Sequence, residues 1–564
     1  KLDAFKVTGE REGGAAAITA QRNAENVKNI VAMDSFGNLP NMNAAEVAIR
    51  LPGVAGNPSD ENLIDGFTIR GIGPGLNSVT LDGSPLTSQG ALSRSTNMNN
   101  LTGSMFDQME LTKGHTPDKE AGSIGGTINL KSRSPLSMKE RRRITYSAGV
   151  RYAPSFTEQT PTREKHRAHP LATLAHQEVF DVLGGSRNLG VALNLFYSEN
   201  AVGGASTAFD YRNSLNNDDA YIWDFTTWDN ANNRKQMSVN FKADYRWSQE
   251  TKFSLTLLEN DNFERHRRRP LMRAFAGAQG TQPSASTAYL PGTFTDTVTE
   301  IRPVPNNSMI EVISDGPLNY NLRMRRIDFT GEHNYRNWNI EYGASATESH
   351  LNNGQGRGGV MAMRFFDPAL QTPGAPVVFG NAGWVIDRTA SATYPSFRRN
   401  GGADFTNPNN YLPRATDGLT QQRNESDQFG YQTRFDIRYK TPLAAPTFLK
   451  VGGAWRETTR DEWGKDRHRW QFAGSLRYDP SLRLAHDPNY RSHIGEKTGL
   501  GIPMWQSSMH TVDGWPKDPA LWVEDHYFRE QSKFTATSQV IEEVTAYYAM
   551  VNGRLGREGW LGRT

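Results

Sequence analysis

The stretch that decides the fold is "QMSVNFKADYRW", Gln236 to Trp247. In an extended chain Met237, Val239, Phe241, Ala243, Tyr245 and Trp247 share one face, and Ser238, Asn240, Lys242, Asp244 and Arg246 the other. "RIDFTGEHNY" (326–335) repeats the pattern, with Ile327, Phe329 and Tyr335 opposite Asp328, Glu332 and Asn334. "FGYQTRFDIRYK" (429–440) does so again. This is period-two alternation over about ten residues, the length of a tilted strand that spans a bilayer.

A soluble sandwich would solvate such a charged face, so the alternation needs support. The chain has 564 residues, a net charge of +3, no Cys and 36 % hydrophobic residues, with a mean hydropathy of −0.65. No run approaches the ~18 apolar residues of a membrane helix. Alternating strands average to low hydropathy, so a membrane barrel fits these values. The near-zero net charge argues against a nucleic-acid partner. The lack of Cys removes thiolate metal sites and Cys nucleophiles.

Strands are expected near 142–153, 170–184, 189–200, 235–247, 251–265, 322–335, 337–350, 427–440, 447–460 and 537–553. The connections after 184, 247, 335, 440 and 553 are short and the others long, as in outer-membrane barrels. Tyr245, Trp247, Tyr335, Trp338 and Tyr439 gather near the short turns, where an aromatic girdle belongs. An eleventh strand starts near Trp560. An open wall would leave a bare edge in lipid. The expectation is therefore the N-terminal part of a barrel over 137–564, truncated at its C-terminus, with about 22 antiparallel strands when complete.

The segment before it is different. Residues 1–30 read as a flexible tail, with the strand-competent "LDAFKVTG" (Leu2–Gly9) inside it. Residues 31–136 read as a small α+β unit. Asn43 and Glu46 form a capping-box-like pair before a short helix stopped by Leu51-Pro52-Gly53. Short strands follow in "FTIRG", "SVTLDG", "MELTKG" and "GTINLKS". Within "FTIRGIGPGLNSVTLDG" (Phe67–Gly83), the glycines 71, 73 and 75 suggest a phosphate loop. No helix follows them, so a glycine-rich hairpin is the better reading.

These segments together resemble a TonB-dependent outer-membrane receptor. The resemblance rests on "DSFGNLPNMNAAEVAIRLPGV", "FTIRGIGPGLNSVTLDG", "MELTKG" and "GSIGGTINLKSRSP" for the plug, and on strand pattern for the barrel. The chain departs from the family in lacking a final strand that ends in an aromatic residue. The resemblance implies a plug inside the lumen of an outer-membrane barrel in a Gram-negative-type bacterium. It implies import of a scarce ligand, driven by TonB gripping an N-terminal box, and a monomer surrounded by lipid and lipopolysaccharide. Leu2, Asp3, Ala4, Phe5, Lys6, Val7 and Thr8 are then the TonB contacts, made by strand addition.

Arg70 is the one charge in "FTIRG" and is expected to lock the plug to a wall carboxylate, Glu332 or a residue in the missing half of the barrel, or else to be solvated. Ser88 and Gln89 resemble a plug apex loop facing the ligand. Tyr221, Trp223, Trp228, Trp505, Trp515 and Trp522 are ligand candidates, against the alternative that they pack the long loops. "RHRRR" (265–269) could meet lipopolysaccharide phosphates or be a solvated run. His166, His169 and His176 do not make a metal box, no cofactor motif is present, and no nucleophile elbow or paired-carboxylate signature indicates an enzyme. The ligand is expected to be an oligosaccharide or a ferric siderophore. The alternatives are a ligand sensor, a soluble β-rich binding protein and a non-functional receptor fragment.

Overall fold

The computed structural model describes residues 13–553 except 34–42, 59–63, 87–94, 153–167, 213–219, 278–286, 289–293, 483–492, 501–517 and breaks of four residues or fewer. The box at Leu2–Thr8, the apex residues Ser88 and Gln89, Trp505, Trp515 and the strand expected near Trp560 lie outside the described residues.

The first unit comprises α1 (Gly13–Arg22), β1 (Lys28–Ala32), α2 (Ala44–Ala48), β2 (Val54–Pro58), β3 (Ile64–Ile69), β4 (Asn77–Leu81), β5 (Ser84–Pro85), β6 (Phe106–Thr112) and β7 (Gly126–Ser132). Its sheet runs β1-β6-β7-β4-β5, with β4 and β7 parallel, and β2–β3 form a separate hairpin. Asn43 caps α2 by accepting the Glu46 N–H at 2.8 Å. The core is Phe67, Ile69, Val79, Leu81, Ile128 and Leu130, with Leu258 and Met324 added from the surrounding wall. Each such buried side chain supplies about 1.5–3 kcal/mol.

Part of the expected flexible tail is ordered. The Ala-rich run "GGAAAITAQR" has high helix propensity and forms α1. Ala17 packs on Ile30 and Ala32. Gln21 accepts the Ile30 N–H at 3.0 Å, covering the edge of β1.

The glycine stretch is a pinned turn. Arg70 and Gly71 have φ of 53° and 80°, and the chain closes on itself through an Ile69–Ile72 bridge. The Asn77 side-chain amide donates to the carbonyls of Phe67, Ile72 and Gly73 at 3.0–3.3 Å. Of Gly71, Gly73 and Gly75, only Gly71 needs its glycine backbone.

The wall begins with β8 (Arg142–Tyr152), β9 (Ala168–Phe180), β10 (Leu189–Arg212), β11 (Tyr221–Arg246) and β12 (Thr251–Arg268). In chain order follow β13 (Leu271–Ala276), β14 (Val298–Ile301), β15 (Ser308–Ser314), β16 (Leu318–Tyr335), β17 (Trp338–Gly354), β18 (Val360–Phe365), β19 (Ala382–Asp387) and β20 (Ser396–Gly402). The last are β21 (Tyr411–Pro413), β22 (Leu419–Lys440), β23 (Thr447–Phe472), β24 (Trp522–Glu524) and β25 (Thr537–Gly553). The long strands form one antiparallel meander, β8-β9-β10-β11-β12-β16-β17-β22-β23-β25. Their faces are inside out. Met237, Val239, Ile327, Phe329, Tyr431 and Phe435 are exposed, while Ser238, Asn240, Lys242, Asp244 and Asp328 are buried on the plug side. That is a membrane β-barrel wall around a plug. Trp247, Tyr335 and Trp338 are exposed beside the short turns.

At the long-loop end the strands run further than the alternation indicates. β10 extends to Arg212, β11 starts at Tyr221, β22 starts at Leu419 and β23 extends to Phe472. With β13, β15, β18 and the sheet β14-β19-β20, these extensions enclose an apolar core around Tyr221, Phe225, Met272, Ile310, Phe365 and Trp384. Strands buried on both faces carry no polar alternation, so their sequence does not mark them.

The inside-out wall makes a direct prediction. Val239→Lys, on the lipid side, should destabilise the folded barrel by about 2–4 kcal/mol. Asn240→Ser, on the lumen side, should cost under about 1 kcal/mol. Urea titration of each variant in lipid vesicles measures both.

Candidate functional site

The plug meets the wall through opposite charges, acids on the plug and bases on the wall. One contact is at the turn joining β4 and β5. Asp82 and Gly83 have φ of 48° and 83°, the geometry of a tight Asp-Gly hairpin. The Asn129 side-chain oxygen accepts the Gly83 N–H at 2.9 Å and the Thr80 hydroxyl at 2.8 Å, fixing the turn. Asp82 accepts the Ser132 N–H at 2.9 Å, and its other oxygen faces Lys242 of β11 at 3.2 Å. Lys242 also donates to the Ser132 hydroxyl at 2.6 Å. Arg434 of β22 donates to the Asp82 and Gly83 carbonyls at 3.2 and 3.4 Å. A Cβ on Gly83 would lie 2.9 Å from the Arg434 guanidinium, so glycine here serves close approach as well as φ. Arg326 of β16 donates to the Pro85 carbonyl at 2.9 Å and to Asp328 at 2.7 Å. Three wall bases thus hold one plug turn.

The second contact is the loop between β6 and β7, where Asp118 pairs with Lys450 at 3.0 Å and Glu120 with Arg456. Both bases stand on β23. Ser78 of the plug donates to Glu120 at 3.1 Å, tying this contact to β4. A third link joins Ser134, just after β7, to Asp244 of β11. Burial pushes the Asp118 carboxyl up, but the Lys119 and Lys450 ammonium groups and the Thr116 hydroxyl outweigh it and hold it well below the usual carboxylate range. Glu110, between Lys28 and Lys131 inside the plug, is lowered against burial in the same way. Removing one partner from such a half-buried pair leaves an uncompensated charge, the costly case.

Of the two expectations for Arg70, the described residues show the solvated one. Arg70 is exposed and donates to the Lys113 carbonyl within the plug at 3.2 Å, and among the described residues no carboxylate pairs with it. The residue proposed as its partner, Glu332, pairs with Lys252 at 3.3 Å. Arg70's left-handed backbone conformation turns its side chain out of the β3 alternation. Tyr221, Trp223 and Trp522 are buried in the cores of the long-loop body, so packing, the alternative reading, accounts for their position. Trp228 is half-buried on β11. His169 and His176 lie on β9, and among the described residues no group of His, Asp or Glu is arranged to hold a metal ion. No described helix is long and apolar enough to cross a membrane.

Comparison with known proteins agrees with the class that this arrangement defines. Residues 20–127 match the family described as TonB-dependent Receptor Plug Domain. Residues 20–127 are thus a plug domain of the TonB-dependent receptor type, set inside a barrel wall. No curated protein matches the chain. Among solved structures it is similar to BauA, the ferric preacinetobactin receptor of Acinetobacter baumannii, at 11 % identity and a TM-score of 0.34 over 78 % of this chain and 60 % of that one. It is similar to the ferric citrate transporter FecA at 10 % identity and a TM-score of 0.28, covering 83 % and 78 %. The copper transporter OprC matches at 10 % identity and a TM-score of 0.31, covering 79 % and 70 %. The chain thus spans 60 % of the length of BauA.

The lowered Asp118 carboxyl fixes the sign of a pH response. A depressed folded-state value means that the pair contributes fully above the ordinary aspartate value of about 3.9 and is lost as pH falls through the depressed value. The Asp118 carboxyl ¹³C shift should stay flat from pH 7 to about 4. Lys450→Met should return its titration toward the ordinary range. Ordinary titration in the unmodified chain would contradict the arrangement.

Proposed function

We propose that this chain is the plug and part of the wall of an outer-membrane importer. It admits a scarce ligand, an oligosaccharide or a ferric siderophore, when TonB draws on the N-terminal segment Leu2–Thr8. The observation that supports this reading most is the seat itself. Much of the plug is held by ion pairs and hydrogen bonds to wall side chains, at Lys242, Arg434, Arg326, Lys450 and Arg456. A polar, half-buried seat can be broken and rewetted in a water-filled lumen, whereas fusing the plug into one apolar core with the wall would forbid movement. Strand addition by the segment around Phe5 and Val7 is the handle.

The sequence has no Cys, so introduced thiols react alone. In cells, Asp82→Cys with Lys242→Cys, bridged by a short reducible bis-thiosulfonate, should abolish energised uptake and spare ligand binding, with a reductant restoring uptake. Phe5→Pro or Val7→Pro should also stop uptake and spare binding. Uptake at the unmodified rate with the bridge in place would sink the proposal. Testing iron-starved cells against cells grown on single glycans identifies the ligand class.

A further inference from the structure

The outward face of β16 measures the bilayer. Arg323, Arg325, Ile327 and Phe329 are exposed, while Leu322, Met324, Arg326 and Asp328 alternate with them and are buried on the plug side. The strand ends at the exposed Tyr335, beside the short turn. Arg325 lies about ten positions before Tyr335 on this strand, a rise of ~25 Å at ~3.3 Å per residue and a tilt of ~40°. That is the height of the apolar band of an outer-membrane barrel. An arginine on the lipid face is costly at the midplane and nearly free at the interface. Arg323 and Arg325 therefore stand at the outer edge of the band, level with the lipid headgroups.

The flanking strands are charged at the same level. Asp261 and Glu259 of β12 lie opposite Arg323 and Arg325 on one side, and His350 and Glu348 of β17 lie opposite them on the other. His350 in turn pairs with Asp427 of β22. The two arginines are held in the same way. Arg323 donates its Nε to Asp261 at 3.0 Å, and Arg325 donates its Nε to Glu259 at 3.2 Å. Each carboxylate thus fixes its guanidinium from the side. The terminal Nη groups of both have no acceptor among the described residues, and both side chains are half exposed. A pair built for strength would close on its carboxylate with two parallel hydrogen bonds, and an exposed pair adds little stability in any case. What this arrangement provides is two oriented forks with free donors, about 7 Å apart along one strand.

We propose that Arg323 and Arg325 bind a phosphate group of lipopolysaccharide in the outer leaflet, with its acyl chains lying along Ile327 and Phe329. The inference rests on the outer-membrane part of the import reading and not on uptake itself. A phosphate monoester offers several oxygens to the two forks, and a guanidinium matches them better than an ammonium does. The local charge permits an anion. Glu259 and Asp261 are each answered by an arginine. Glu348, the remaining acid beside them, is outweighed by Arg265, Arg267, Arg268 and Arg269, which follow Asp261 at and just past the outer end of β12.

The test titrates the detergent-purified chain with lipid A and counts bound lipid by native mass spectrometry. The comparison probes are the same lipid with its phosphates removed, phosphatidylglycerol and inorganic phosphate. Lipid A should bind saturably, and the phosphate-free form should bind about tenfold or more weakly. Arg323→Gln with Arg325→Gln should weaken lipid A binding by about tenfold or more, the loss of charge-assisted hydrogen bonds. Arg323→Lys with Arg325→Lys keeps both charges but commits each ammonium to its carboxylate, and should bind several-fold more weakly than the unmodified chain. Arg398→Gln with Arg399→Gln removes the same charge from exposed positions on β20 and should bind as the unmodified chain does. The proposal is overturned if the phosphate-free lipid or phosphatidylglycerol binds as well as lipid A, or if inorganic phosphate at the same concentration displaces it. It is also overturned if the lysine variant binds as tightly as the unmodified chain, or if the β20 variant loses as much as the glutamine variant of β16. Failed uptake with lipid A binding intact would count against the import reading and leave this site standing.

Discussion

The structure depends on one constraint: a strand wall in lipid must turn its apolar face outward. In the strands between β8 and β25 the backbone N–H and C=O groups bond sideways to neighbouring strands, and the side chains left for the lumen are mostly polar. A plug filling such a lumen therefore meets chiefly polar groups, Lys242, Asp244, Arg326, Arg434, Lys450 and Arg456. It answers with Asp82, Asp118 and Glu120, each placed on a turn or loop where a short carboxylate reaches past the sheet edge. The plug's own core needs little from the wall beyond Leu258 and Met324. Stability of the plug and its attachment to the wall are thus carried by different chemistry.

Much of this was legible in the sequence, and the legible part is where lipid enforces alternation. The expected strand 537–553 coincides with β25, and those at 142–153 and 337–350 closely match the short-turn ends of β8 and β17. The two-residue connection Arg336–Asn337 is the turn between Tyr335 and Trp338. Beyond the bilayer the signal stops. "YIWDFTTW" reads as an aromatic loop, but it is strand β11 packed on both faces, and its Tyr221 and Trp223 became core. The Ala-rich run in the tail has no charge pattern to announce packing, yet Ala17 fits against Ile30 because it is small.

The seat was not legible, for a physical reason. Within Phe67–Gly83 the sequence draws attention to Arg70, the isolated charge in a strand. The residue that holds the wall is Asp82 at the far end of the same stretch, recognisable in sequence only as half of a turn dipeptide. Its partner Lys242 lies 160 residues away, on the lumen face of the very segment that decides the fold. Alternation says that Lys242 faces inward; it cannot say what it faces. Arg70 kept its charge in water by adopting a left-handed backbone, which no pattern in "FTIRG" foretells.

The claim that opposite charges seat the plug is tested most directly by exchanging one pair. Hydrogen exchange of the β4 and β7 amides reports how firmly the plug is held. Arg456→Glu alone should speed that exchange by about tenfold or more, as coupling energies of 0.5–3 kcal/mol between contacting residues allow. Adding Glu120→Arg in the same chain should bring exchange most of the way back. If the single change leaves exchange unaltered, or the exchanged pair is no better protected than the single variant, the plug is held by something other than these charges.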